Sequence, residues 1–346
     1  MALDVKVKID LTKPIPKLGF GIPLLIDDTI DSSSGTEIDY AVYEDLDAME
    51  TAGFSKTGSV YLTAQLIWQQ SNAPKKIAAA ATKTALKTWL TKPDNLAKEW
   101  RQLINTRNGY CYDDTSSIAD ISAAIPKDKV VFMTLPVAAV TAMGSAITAN
   151  DRLFVFANGT APESDNSGAY KVGALVGATA GLDAGSFTYK NIILTGIEPD
   201  VLTDTEINKI HQNGAVGFVT KAGDNVTTEG KATSGEYLDI IDSQDYITQQ
   251  LEYQTQKLLN SSLKIPYDNN GIAMLESVAI NVMQDAYGNG IIATDENGKP
   301  AYSVSYAKRE EVDDSDRVTR TYAGGSFKFT LAGAIHEVEI TGEIEI

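Results

Sequence analysis

The stretch "NIILTGIEPDVLTDTEINKIHQNGAVGFVTKAGDNVTTEGKATSGEYLDIIDSQDYI" (residues 191–247) carries the densest run of structural signals in the chain. "NIILTGI" reads as a short apolar strand. "TDTEINKIHQNG" reads as a helix that ends at Gly214, because glycine takes the left-handed conformation that closes a helix. "AVGFVTKAGDNVTTEGKAT" reads as a hairpin turning at Ala222–Asn225. "YLDII" (237–241) reads as a strand. Asp242 or Ser243 then caps a helix through 259, with Asp245 in its first turn and an apolar stripe at Ile247, Leu251 and Leu258.

Upstream, the same alternation continues. Helices are expected at 40–50, 59–70, 93–104 (opened by Pro93 and Asp94) and 116–125. Strands are expected at "KKIAAAA" (75–81), "GYCY" (109–112), "KVVFMTL" (129–135) and "RLFVFAN" (152–158). "GAYKVGALVGATAG" (168–181) reads as a helix of small residues, which implies close packing. Strands alternating with helices imply an α/β domain. Downstream, "GIAMLESVAINVMQDAYGNG" (271–290) reads as a helix with Ile272, Leu275, Ala279 and Val282 on one face. "DENGKP" (295–300) reads as a turn. Strands follow at 301–307, 326–336 and 337–346, separated by the acidic loop "KREEVDDSDR" (308–317).

Both ends of the chain alternate cleanly. Leu3, Val5, Val7 and Ile9 take one face of the first strand, with Lys6 and Lys8 on the other. Pro14, Pro16 and Pro23 then mark an extended linker. At the other end Val338, Ile340, Ile344 and Ile346 oppose Glu339, Glu343 and Glu345. Laid side by side, the lysines and glutamates attract by a few tenths to ~1 kcal/mol per pair. Two readings stay open from the residues alone. Each end is an edge strand of its own sheet, or each is an arm that completes a sheet in a neighbouring copy through main-chain hydrogen bonds.

Composition narrows the function. The chain has 346 residues, 43% apolar and 22% charged, as expected of two ordinary globular domains. A net charge of -17 argues against nucleic-acid and anionic-membrane partners, whose phosphates need Lys and Arg opposite them. Neither a signal peptide nor a membrane-spanning run is expected. The single cysteine, Cys111, reads as a strand residue, because neither His211 nor His336 is linked to it locally. "GALVGATAG" lacks the context of a nucleotide loop, and "DENG" (295–298) lacks the later glutamate of a calcium loop. Glu310, Glu311, Asp313, Asp314 and Asp316 read as a solvated acidic run. No catalytic residue, metal site or cofactor is expected.

The order of motifs from 191 to 247 resembles contractile tail sheath proteins of phages and of related phage-tail-like injection particles. The link at Lys264, Ile265, Pro266 and Tyr267, followed by Gly271 and Ile272, is similar to a short connection between two helices in that family. The resemblance implies an α+β or α/β architecture. An inner sheath domain (237–332) of helices and a mixed sheet formed by both chain ends would carry an inserted outer α/β domain (25–236). An N-terminal arm with its linker (1–24) and a C-terminal arm (333–346) would flank them. It implies a structural, non-enzymatic subunit that polymerises into stacked six-fold rings through strand exchange and contracts to drive a tube through a cell envelope. Leu3, Val5, Lys6, Val7, Lys8, Ile9, Val338, Glu339, Ile340, Glu343, Ile344, Glu345 and Ile346 would be the exchanging arms, received by strands within 302–335. Asp245 and Glu252 would lie on a helix facing the tube. Implied partners are other copies, the tail tube, the baseplate and the tail terminator, in a virion tail or tail-like particle assembled in a host cytoplasm. At 346 residues the chain is compact for this family. A tube or capsid protein, or a plain α/β enzyme, is the alternative.

Overall fold

The computed structural model describes residues 21–29, 35–106, 115–142, 150–159 and 167–341. The expected first strand, "GYCY" and the final residues Glu343, Ile344, Glu345 and Ile346 lie outside them. In chain order the elements are β1 (Pro23–Asp27), β2 (Ile38–Tyr43), α1 (Leu46–Thr51), α2 (Ser59–Trp68), β3 (Ile77–Ala81), α3 (Leu86–Leu90), α4 (Pro93–Leu96), β4 (Gln102–Asn105), α5 (Thr115–Ala124), β5 (Val130–Pro136), α6 (Val137–Ala142), β6 (Leu153–Asn158) and α7 (Ser167–Thr179). Then come α8 (Asp204–Gln212), β7 (Ala215–Val216), β8 (Phe218–Lys221), β9 (Asp224–Thr227), α9 (Leu238–Ser261), α10 (Asn269–Gly288), β10 (Tyr302–Tyr306), α11 (Asp314–Thr319) and β11 (Gly325–Phe329). The chain divides into two compact units, Met1–Ile265 and Pro266–Ile346.

In the first unit the described residues form a seven-stranded sheet in the order β2-β3-β1-β4-β5-β6-β7. All neighbours run parallel except β2, which pairs antiparallel with β3. The parallel strands are buried on both faces, which explains the continuous apolar runs of β3, β5 and β6. Alternate residues of one strand enter opposite cores. Leu25, Ala79, Ile104, Phe132 and Phe154 face α2 and α7 through Val60, Ala64, Ile67, Val172 and Leu175. Leu24, Ala78, Leu103, Val131 and Val155 face α3, α5 and α8 through Trp89, Ile118, Ile121 and Ile210. This is a three-layer α/β arrangement, as the alternating sequence predicts.

The small-residue helix packs as closely as its composition implies. A Cβ on Gly177 would sit 2.6 Å from the Ile67 carbonyl oxygen and 2.7 Å from its Cα. One on Gly173 would meet the Thr63 methyl at 2.5 Å. α2 and α7 therefore touch backbone to backbone. α8 starts where expected, with Thr203 and Glu206 forming a reciprocal capping box, and Gly214 follows it at φ 67°. The β8–β9 hairpin turns through Ala222 and Gly223, both at positive φ.

Five local expectations are corrected. Residues 38–43 form a strand, and helix α1 begins only after Asp45, whose carboxylate caps Ala48. The helix opened by Pro93 lasts one turn, and "RQLI" enters β4 at the centre of the sheet. "NIILTGI" contributes a single bridge, Ile193 with Val226, rather than a strand. "YLDII" is the first turn of α9, so Asp242 and Ser243 lie inside the helix and are buried, not at its cap. The acidic loop at 308–317 folds into a 3-10 turn at Arg309–Glu311 and the start of α11.

Candidate assembly surface

In the second unit, β10 and β11 pair antiparallel as a two-stranded sheet lying within residues 302–335. Their register sets Tyr302 opposite Phe329, Val304 opposite Phe327 and Tyr306 opposite Gly325, all on one face. Alternation places Ser303, Ser305, Ser326 and Lys328 on the other face, which is exposed. The Tyr306 ring lies over Gly325, where an added Cβ would come within 2.8 Å of it, and stacks on Tyr322 at 5.9 Å. The Tyr322 hydroxyl donates to the Ala307 carbonyl at 2.8 Å. α10 packs on β10, and the Asp268 carboxylate caps its start through the N–H groups of Asn270 and Gly271.

The C-terminal segment leaves this sheet at once. Leu331 bridges Ile292, and the Ala332 N–H donates to the Ile291 carbonyl at 2.9 Å. Strands are expected at 326–336 and 337–346, but β11 ends at Phe329, and among the described residues Ala332 to Thr341 lie in no strand. Val338 is 75% exposed and Ile340 87%, and Glu339 beside them is also in solvent. Two bulky apolar side chains on one alternating face are thus left in water, and each burial would return roughly 1.5–3 kcal/mol.

The two acids expected on a tube-facing helix both lie on α9. Asp245 is held inside the first unit by Arg101 Nη1 at 2.7 Å and by both terminal nitrogens of Arg152, Nη2 at 2.8 Å. One turn earlier, the buried Asp242 carboxylate takes the Arg101 Nη2 and the Tyr189 hydroxyl, the latter at 2.7 Å. Burial pushes the Asp242 carboxyl up, and the neighbouring Arg101 guanidinium opposes it. Glu252 is buried as well, and desolvation pushes its carboxyl up to about 7. This ion cluster escapes sequence reasoning because Arg101 and Asp242 are remote in the chain. The available signal was the spacing of Leu238 and Ile241, which continues the helical stripe backwards from Ile247. The backbone N–H of Leu238 donates to the Gly230 carbonyl at 3.0 Å, so tertiary structure supplies the missing cap.

The acidic run is drawn together by Arg317, which pairs with Asp314 and donates to the carbonyls of Val312 at 2.5 Å and Arg309 at 2.9 Å. Among the described residues no three His, Cys, Asp or Glu side chains are grouped to hold a metal ion. Among them, too, no helix is long and apolar enough to cross a membrane.

Residues 238–344, from the first turn of α9 through the exposed C-terminal segment, match the family described as E217 tail sheath protein gp31-like, C-terminal domain. Over that stretch the chain resembles the C-terminal domain of a tail sheath protein. The tail sheath family is one of structural proteins, not enzymes. Among curated protein sequences none matches the chain. The fold is shared with solved contractile assemblies. A chain of the 6-fold symmetrised baseplate of the anti-feeding prophage superposes with a TM-score of 0.73 at 12% identity, covering 99% of this chain and 98% of that one. A chain of the same particle's helical sheath in the contracted state gives 0.71 at 13% identity, covering 98% of each. The sheath tail protein Lin1278 of Listeria innocua gives 0.58 at 11% identity, covering 84% of this chain and 89% of that one. The sheath fold thus runs through both units, beyond the stretch that the family match covers.

Proposed function

We propose that this chain polymerises into stacked six-fold rings around a tail tube and contracts to drive that tube through a target envelope. The observation that carries the reading is the sheath domain match over 238–344, ending in a segment whose Val338 and Ile340 lie bare on one alternating face. A bare strand is an aggregation liability in a free monomer. In a polymer it becomes the connector. In this reading Leu3, Val5, Val7 and Ile9 of one copy and Val338, Ile340, Ile344 and Ile346 of another add strands beside β10 and β11 of a third. Lys6 and Lys8 then meet Glu339, Glu343 and Glu345 across the strands. Exchange of this kind is head-to-tail, so it closes into rings or propagates as a helix.

The sequence-level sheath domain then begins at 237, carrying α9 with it, and residues 25–236 are the outer α/β region. Partners follow from the reading: other copies of the chain, the tube, the baseplate and the terminator. The particle is a virion tail or a phage-tail-like device assembled in a host cytoplasm. Contraction needs no cofactor in this reading, since added buried area between subunits drives it. Asp245 and Glu252 would act from within α9, holding the helix rather than touching the tube. Negative-stain electron microscopy of the purified full chain tests the proposal. Tubes or stacked rings are expected; monomers at every concentration and salt would overturn it.

A further inference from the structure

At the carboxyl end of β6, three side chains from three parts of the first unit meet out of solvent. Asn158 closes β6, Lys171 lies early in α7, and Asp200 sits in the segment before α8. Each is at most 5% exposed. Lys171 Nζ donates to Asn158 Oδ1 at 2.8 Å and to Asp200 Oδ1 at 2.6 Å. The backbone holds this arrangement. Asn158 stands opposite Pro136 in the parallel ladder of β5 and β6. The Asp200 N–H donates to the Phe218 carbonyl at 2.8 Å, and a Cβ on Gly159 would lie 3.4 Å from the Asp200 Cγ. The flanking residues are apolar and buried: Phe156 and Ala157 before Asn158, and Val172 after Lys171.

An ion pair accounts for Lys171 and Asp200, but not for the amide between them. Asn158 Oδ1 shares the ammonium, while its Nδ2 has no hydrogen-bond partner among the described residues. A buried NH2 group without an acceptor is costly and calls for a reason. As a leaving group it has one. An amine nitrogen hydrogen-bonded to Oδ1 stands within about 4 Å of Cγ, because the C=O bond is only ~1.2 Å long. Burial pushes the Lys171 ammonium down, with Asp200 opposing it, which favours the neutral, nucleophilic amine.

We propose that Lys171 and Asn158 join in an intramolecular isopeptide bond, with Asp200 carrying the protons. The Asp200 carboxylate takes one proton from the Lys171 ammonium. The freed Nζ lone pair attacks Asn158 Cγ and forms the N–C bond. A second Nζ proton is relayed through Asp200 to Nδ2 as the Cγ–Nδ2 bond breaks. Ammonia leaves and takes up the remaining proton as ammonium, so Asp200 ends as a carboxylate. Nothing is oxidised or reduced, and no co-reactant enters. The product staples β6 to α7 across the 13 positions that separate the two residues. It constrains the unfolded chain as a disulfide does, in a sequence whose single cysteine allows no internal disulfide. The bond lies within one copy and is independent of how copies assemble.

Mass spectrometry of the purified, denatured full chain tests it. The expected mass is one ammonia below that of the sequence, about 17 Da. Glu163 lies between the two residues in the sequence, so cleavage after glutamate is expected to leave the peptides carrying Asn158 and Lys171 joined. Trypsin is expected not to cut after Lys171. Lys171→Arg and Asp200→Asn are expected to show full mass, with circular dichroism verifying folding. Wild type at full mass, with the two peptides separate, overturns the proposal, and that readout needs no variant to fold. The same mass loss with separate peptides means that the Gly159 nitrogen has closed a succinimide on Asn158, and overturns it as well. A folded Asp200→Asn chain that is still joined overturns the role given to Asp200.

Discussion

Arg101, just before β4, and Asp242, in the second turn of α9, meet across 141 residues of chain in a buried ion pair, with Asp245 and Tyr189 completing it. Through this pair the first turns of the sheath-family domain are tied to the parallel sheet. Arg101→Ala is expected to cost about 3–5 kcal/mol, because it strands a buried carboxylate. The double replacement Arg101→Met/Asp242→Leu should cost clearly less, since it removes both desolvated charges. Urea unfolding of the variants measures both, and equal losses would contradict the pairing.

Glu252 gives stability a pH dependence of definite sign. Its carboxyl is raised to about 7 in the folded chain by burial, against 4.5 unfolded. The folded state holds the proton more tightly, so the stabilising protonated form is fully present below pH 4.5 and is lost as pH rises through 7. Glu252→Gln is therefore expected to stabilise the monomer by about 1–2 kcal/mol at pH 8, discounted for partial solvation, and by nothing at pH 4. Denaturant midpoints at the two pH values check it.

Gly177 marks the closest approach of α7 to α2. Gly177→Ala drives a methyl into the Ile67 backbone, and the gain in helix propensity does not offset the overlap. A loss of about 1–3 kcal/mol is expected, read as a lowered Tm. An unchanged Tm would mean the helices stand further apart.

Ala222 occupies the first central position of the β8–β9 turn at φ 51°, with Gly223 at 95°. An L side chain with a Cβ and no local hydrogen bond is strained there. Ala222→Asn gives the Asn-Gly pair that this turn type favours, and a gain of about 0.5–1 kcal/mol is expected in thermal unfolding.

The arms make the sharpest demand. Deleting 338–346, or 1–12, is expected to leave a folded subunit that no longer polymerises. Circular dichroism and electron microscopy of the same samples decide it. A truncation that unfolds the monomer would mean the strands belong to the chain's own sheet.

Several elements were legible in the sequence because their cause is local. β3, β5 and β6 announce themselves by unbroken apolar runs, α8 by Thr203, Glu206 and Gly214, and the α2–α7 contact by the small residues of α7. The failures share one cause. "RQLI" carries Arg and Gln into the centre of a sheet, because Arg101 has Asp242 and Asp245 to meet and the strand has neighbours on both sides. "YLDII" reads as a strand by composition, and becomes helix because the Leu238 N–H finds the Gly230 carbonyl and Asp242 finds Arg101. Of the candidate assembly residues, Val338 and Ile340 were legible by alternation.

By itself, then, the sequence determined the α/β alternation, the hairpin and the alternating ends, since periodicity, capping and turn chemistry act within a few residues. Tertiary structure alone decided that Asp245 and Glu252 turn inward. It also decided that Lys221 and His211 meet at Thr228 and that α9 is anchored by an arginine just before β4. Burial and Coulomb interaction depend on distances in space that no local pattern encodes.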